Sequence, residues 1–337
     1  MKTIHFISLF VLLSIGFGCR NTEEKHRNVD SKYKLIEYSV FEHDMGQIIR
    51  ITADDSCIYI SNAPDYKIFV YDFKGNLKKT IGNKGPAPWE FGSIWSFAKE
   101  KDGKSYWVHD YSKQHIKKYS AKNDSLLISR RLKTTNNIQY LKDGKFLVPR
   151  VINKSRDFVI SVYNAENNIF EKDFNLTTIS GIESDLINKD YVLSGFFCKN
   201  SSNEIIYSCI YAGVFFHFNR SCDSVKIYKD IRNLPIPKSS ISNNEIHLSP
   251  RQLVSICSAV DNSKIYLLTL KDETQNPMKC KIFYIDIYNL RNGKYIKSIT
   301  LPLYRGEEIP VYMAKTKDYL IIGYINGTIA VYDFKGI

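Results

Sequence analysis

The chain has 337 residues, 44% of them hydrophobic and 24% charged, with 23 Tyr, 19 Phe and a formal net charge of +12. That composition excludes a disordered chain and favours sheet, because aromatic residues suit a half-buried pleated surface. The basic residues are dispersed, with no run of five or more Lys or Arg, which speaks against a nucleic-acid-binding tail or patch.

The first segment is an address. Met1-Lys2 is a short positive region, Ile4 to Phe17 is uncharged and apolar, and Gly16-Phe17-Gly18 closes the run with small residues. Residues 1–18 therefore read as a signal peptide, too short for a spanning helix. With Cys19 next, the segment resembles a bacterial lipobox, although Phe17 stands where a small residue is usual. The resemblance implies that Cys19 is lipidated and that the protein sits in the cell envelope, at the outer membrane, touching lipid only through this anchor. Arg20 to Ser31 is polar without apolar periodicity, so residues 19–32 are expected to be a flexible tether and residues 33–337 the folded domain.

Beyond the tether, runs of four to seven β-favouring residues alternate with turn residues, and almost nothing has a helical period. An aromatic followed by a small polar residue marks each unit: Tyr71-Asp72, Tyr119-Ser120, Tyr163-Asn164, Phe218-Asn219 and Tyr332-Asp333, with Ile285-Asp286 standing for the fifth. Subtracting positions gives intervals of 48, 44, 55, 67 and 47 residues, near the length of a four-stranded blade. The predicted fold is all-β, a six-bladed β-propeller. The last unit stops at Ile337 without an outer strand, while Tyr33–Val40 is a strand without a partner. Placing Tyr33–Val40 in the last blade closes the ring and removes an open edge. Asn175–Asp190 and Ile231–Arg251 are polar insertions between units, expected at one mouth of the ring.

The stretch from Ile58 to Asn76, strand, polar turn, strand and Gly turn, resembles an NHL-type repeat, with Asn62 where such repeats carry Asp and Asp110 restoring it in the second unit. Ile81 to Phe91, with Gly82, Gly85, Pro86 and Glu90, resembles the crossing loop of Bacteroidetes six-bladed propeller lipoproteins of the NHL/TolB-like kind. The resemblance implies a fold and an envelope location and little about activity.

For chemistry, the predicted innermost strands are Ile48–Ala53, Ser93–Ala98, Ile138–Leu141, Tyr191–Phe197, Gln252–Ala259 and Pro310–Lys315, and they carry no His, Asp or Glu. His109 and His115 flank a turn and read as surface or turn histidines. No nucleophile motif or metal-ligand spacing stands out, so no catalytic residue, metal or cofactor is predicted. Gly82–Gly85 is followed by Pro86 and Pro88 rather than a helix, unlike a phosphate loop. The reading that follows is a binding module, monomeric, taking a glycan, a peptide or an envelope protein. A propeller lyase or lactone hydrolase is the alternative. Register points to Arg50, Asp65, Tyr66, Trp89, Trp95, Asp110, Arg150, Arg156, Arg251 and Tyr324 as mouth residues. Pairing among Cys57, Cys198, Cys209, Cys222, Cys257 and Cys280 stays open.

Overall fold

Short aliphatic and aromatic runs cut by Asp, Asn and Gly turns become strands here because each blade face is buried against a neighbour. The computed structural model describes residues 27–43, 46–63, 65–134, 137–152, 156–183, 186–271, 280–304 and 308–335. Cys19 and the signal segment lie outside the described residues. After β1 (Ile36–Glu42), blade one has β2 (Gln47–Ala53), β3 (Ile58–Ala63), β4 (Ile68–Tyr71) and β5 (Leu77–Ile81). Blade two has β6 (Ile94–Lys99), β7 (Ser105–Asp110), β8 (His115–Ser120) and β9 (Leu126–Arg131). Blade three has β10 (Gln139–Tyr140), β11 (Lys145–Ile152), β12 (Asp157–Asn164) and β13 (Ile169–Asn175). Two helical turns, α1 (Leu176–Ile179) and α2 (Lys189–Val192), lead to blade four: β14 (Gly195–Lys199), β15 (Ile205–Cys209), β16 (Val214–Phe218) and β17 (Val225–Lys229). A hairpin of β18 (Lys238–Ser242) and β19 (Glu245–Ser249) precedes blade five: β20 (Cys257–Val260), β21 (Lys264–Leu270), β22 (Phe283–Asn289) and β23 (Tyr295–Leu301). Blade six has β24 (Pro310–Lys315), β25 (Tyr319–Tyr324) and β26 (Thr328–Asp333).

Every blade is an antiparallel sheet in chain order from the inside out, and β1 is the outermost strand of the sixth. The core is divided accordingly. Its six apolar clusters sit one at each interface between successive blades, including Ile321, Ile329 and Val331 of blade six against Ile51, Ile58 and Ile60 of blade one. Non-polar packing therefore runs round the whole circle, which is how a propeller buries its sheet faces.

The aromatic-polar marker is the end of each third strand, and its polar residue caps the following turn. Asp72 Oδ1 accepts from Lys74 N at 3.0 Å and Asn76 N at 2.9 Å, and Asn164 Oδ1 accepts from Glu166 N and Asn167 N at 3.1 Å. The fifth marker is a correction. Asp286 lies in the middle of β22, and the equivalent pair is Tyr288-Asn289, whose Asn Oδ1 accepts from Arg291 N at 3.0 Å. No aromatic has been replaced; the reading was three residues out of phase.

The N-terminal strand pairs with β26 from Ile36↔Asp333 to Glu42↔Thr328, slightly later than the predicted Tyr33–Val40. It is also held by blade one. Ser39 Oγ donates to Phe73 O, and Gly75 has φ +86° with its α-carbon against Phe41, where an added Cβ would lie 2.6 Å from the ring. Gly75 is thus needed both for its backbone and for the strand beside it.

The expected tether needs a second correction. Its described part, residues 27–32, packs on blade five: Ser298 N donates to Asn28 O at 2.9 Å and Asp30 N to Ser298 O at 2.8 Å. Arg27 forks onto Asp286, with Nε–Oδ1 at 3.2 Å and Nη2–Oδ2 at 3.3 Å, and the carboxylate is fully buried. A buried Asp needs a partner, and this segment supplies it. Tether-like composition described the sequence here but not its role.

Candidate functional site

Three β-bulges shape the channel. The pairing of the innermost strand slips between Ile48 and Arg50, between Ile94 and Ser96, and between Pro310 and Tyr312, at one equivalent place in blades one, two and six. A bulge re-aims the side chains beside it. The residue after each one reaches the inner edge of another blade. The Arg50 Nη2 donates to Phe197 O at 3.0 Å, joining blade one to blade four; Ser96 Oγ donates to Ile138 O at 2.8 Å; Tyr312 Oη donates to Ile48 O at 2.7 Å.

Arg50 therefore spans the ring. Burial pulls its guanidinium down to about 10, while the nearby Cys198 and Tyr312 push the other way. Both of those groups are protonated at neutral pH, since burial pushes the thiol and the phenol up to about 12. Beside Arg50 is a cavity of about 30 Å³ whose wall includes Thr52, Ser96, His109 and Gln139, with Trp107 and Phe146 below. His109 is 1% exposed, and neither ring nitrogen has a hydrogen-bond partner among the described residues. Burial, and then the Arg50 charge, hold it neutral, at about 4, against the opposing pull of Asp110.

The mouth lies where second-to-third-strand loops meet the crossings between blades. Two aromatic stacks stand there at near-equivalent places. Trp95, the bulged residue of β6, stacks on Tyr111 at 4.5 Å and 24°, and Tyr191 stacks on Tyr211 at 5.3 Å and 28°. All four rings are partly exposed. Offset stacks of this kind present flat apolar faces with polar rims.

The first crossing, residues 82–93, is built inside out relative to an anion loop. Lys113 Nζ donates to the carbonyls of Gly85, Ala87 and Glu90 at 2.8, 2.7 and 3.0 Å, so the loop turns oxygens, not N–H groups, toward its centre. Asp110 clamps the end of the crossing: its oxygens accept from Gly92 N at 3.0 Å, Ser93 N at 3.1 Å and Lys117 Nζ at 2.9 Å. Asp110 and Lys117 are 0% and 2% exposed as side chains. Burial lowers the affinity of Lys117 for its proton, and the hydrogen bond to Asp110 restores part of it. In blade one the same register holds the neutral Asn62, paired opposite Ile48 as Asp110 is opposite Ile94.

A family model described as a 6-bladed beta-propeller, DUF5128, matches residues 41–212, just over half of the chain. The chain belongs to this family. No curated protein matches it. Among solved structures, a protein described as exported from Bacteroides fragilis NCTC 9343 is 13% identical with a TM-score of 0.58, covering 90% of this chain and 96% of its own. A member of the DUF4221 family from Bacteroides vulgatus ATCC 8482 is 10% identical with a TM-score of 0.60, covering 90% and 98%. At these identities the likeness is one of fold.

Within this DUF5128 propeller the predicted mouth residues separate into groups. Trp95 joins Tyr111 at the mouth, Tyr66 lies under Lys84 with Nζ 5.1 Å from the ring centre, and Asp65, Trp89, Arg156 and Arg251 are exposed on its loops. Four residues are placed otherwise. Asp110 is spent on the clamp just described. Tyr324 is fully buried, with its hydroxyl on Pro302 O at 3.1 Å, because its strand is packed on both faces. Arg150 lies outward over blade three, 3.7 Å above the Phe170 ring and 3.9 Å from Asp173. Arg50 is inside the channel, not at its rim.

His109 was misread as a surface or turn residue. All six residues of β7 are buried, so alternation carries no signal for its side-chain direction. The innermost strands of blades four and five begin later than predicted, at Gly195 and Cys257, since α2 and an extended crossing occupy the residues before them. The two insertions meet: Ser239 Oγ of β18 donates to Ile187 O, and Lys238 Nζ is 4.0 Å from Glu183. The six cysteines among the described residues are free thiols. Among the described residues no group of three or more His, Cys, Asp or Glu is placed to hold a metal.

Proposed function

We propose that this propeller is an extracytoplasmic binding module that takes a glycan, a peptide or an envelope protein on the mouth bearing the Trp95–Tyr111 and Tyr191–Tyr211 stacks. The single observation carrying this is the pair of partly exposed stacks at one end of the ring. Aromatic faces dock on sugar rings or bury protein anchors without needing an ionisable group. Asp110, next to Tyr111 of the first stack, is engaged in structure by Lys117 and two backbone N–H groups. Placement outside the cytoplasm draws support from the signal-like residues 1–18 and from a structural neighbour described as exported.

Binding is tested by glycan arrays and by pull-downs from envelope fractions. Trp95→Ala and Tyr191→Ala are each expected to weaken a captured ligand by about tenfold, the loss of one buried aromatic contact. Unchanged binding in both variants, or turnover of a lactone or uronate without retention, would overturn the reading. The anchor is the second part of the proposal: Cys19 carries the lipid that holds the module at the outer membrane. A Cys19→Ser protein is expected in the soluble fraction, and its persistence in the membrane pellet would count against the anchor.

A further inference from the structure

We propose that the channel cavity between Arg50 and His109 is a binding site for one small monovalent carboxylate, of the size of formate or acetate. The inference is independent of what the mouth binds.

Geometry carries it. The guanidinium has five N–H donors in a fixed fork. Its one hydrogen bond in the described structure goes to Phe197 O at 3.0 Å on the opposite side of the ring. The ionisable groups acting on it, the Cys198 thiol and the Tyr312 phenol, are neutral at pH 7, so neither balances its charge. Asp110, next along β7 from His109, is committed to Lys117 at 2.9 Å. Arg50 is only partly exposed, so solvent screens its charge incompletely and an anion beside it is favoured.

The imidazole makes the same demand from the other wall. His109 is 1% exposed, lines the cavity, and has both nitrogens unpartnered among the described residues. Leaving a buried donor unmatched is costly. The groups facing its ring are Arg50, Asp110 and the edge of Tyr111, whose centroid is 6.3 Å away. Only an acceptor inside the cavity satisfies guanidinium and imidazole together.

Size and charge select the acceptor. A water-sized probe needs about 10–15 Å³ of such volume, and the cavity has about 30 Å³. Two carboxylate oxygens fit this space, one on the Arg50 fork and one on the His109 N–H, with the apolar carbon toward Trp107 and Phe146. Sulfate or phosphate brings a second negative charge that a single guanidinium leaves unbalanced.

The test follows the histidine ring resonances of the purified protein by NMR, with His109 assigned from a His109→Gln variant, while sodium formate, acetate, chloride or sulfate is added up to 100 mM. Formate and acetate are expected to shift the His109 ring signals saturably, at one site per chain, and to raise its pKa by about one unit or more, as a negative charge at hydrogen-bond distance does. Sulfate should leave them in place. Arg50→Gln should abolish the shift. Should that variant fail to fold, Arg50→Lys keeps the test open, because it keeps the charge but loses the fork and should weaken formate binding by about tenfold or more.

Three results would overturn the proposal. One is a His109 signal indifferent to every anion, which means water alone. Another is a saturable response to chloride but not to formate. The last is formate binding undiminished in a folded Arg50→Gln or Arg50→Lys protein.

Discussion

Deleting residues 33–42 is expected to leave the protein aggregated, or to lower its midpoint of thermal unfolding by about 10 °C or more. The strand β1 supplies the outer row of hydrogen bonds to β26 from Ile36↔Asp333 to Glu42↔Thr328. Without it, the backbone edge of β26 is open to pairing with another chain. The loss reaches further than one edge. Phe41 packs on Tyr71 with ring centres 5.1 Å apart, and Tyr38 on Tyr319 at 4.8 Å, so the strand joins the last blade to the first. Removing several kcal/mol of such contacts, at roughly 2–4 °C for each in chains of this order, gives the stated fall. Circular dichroism melts with light scattering check it. A soluble monomer melting within about 2 °C of the full domain would show that the ring does not depend on this strand.

Asp110→Ala is expected to cost about 3–5 kcal/mol, the range for breaking a buried ion pair by removing one partner. Lys117 would be left with its ammonium buried, bonded only to Glu90 O at 2.8 Å. Gly92 N and Ser93 N would also lose their acceptor, freeing the end of the first crossing. The double variant Asp110→Ala/Lys117→Met should recover part of the loss, because it takes away the stranded charge together with its partner. Urea unfolding of the three variants decides this. If the double variant is less stable than Asp110→Ala, the cost lies in the crossing loop and not in the uncompensated lysine.

The two expectations differ in how visible they were beforehand. A strand without a partner and a last unit lacking one are facts of order along the chain, so the place of Tyr33–Val40 was legible before any coordinates. The clamp at Asp110 was not. Its residue was picked out as the repeat's Asp and a mouth residue, yet the lysine that spends it is seven residues on and the amides it binds are seventeen and eighteen residues back. Arg150 and Tyr324 were misplaced for the related reason that strand alternation assigns a residue to a face but not to the inner or outer end of a blade. In blade five the apolar run Ile285, Ile287 and Tyr288 hid the phase, and the marker was set on Asp286.

By itself the sequence determined the all-β character, the count of six units and the position of the turns. Those follow from local rules: β-favouring residues at period two, and Asp, Asn and Gly where the chain must reverse. Tertiary structure alone decided what lies in the channel. Three bulges turn Arg50, Ser96 and Tyr312 toward other blades, and closing the circle brings Arg50 to Phe197, 147 positions away. A bulge is one extra residue in a register that only the paired strand defines, so neither it nor the meeting of Arg50 with His109 has a local signature to read.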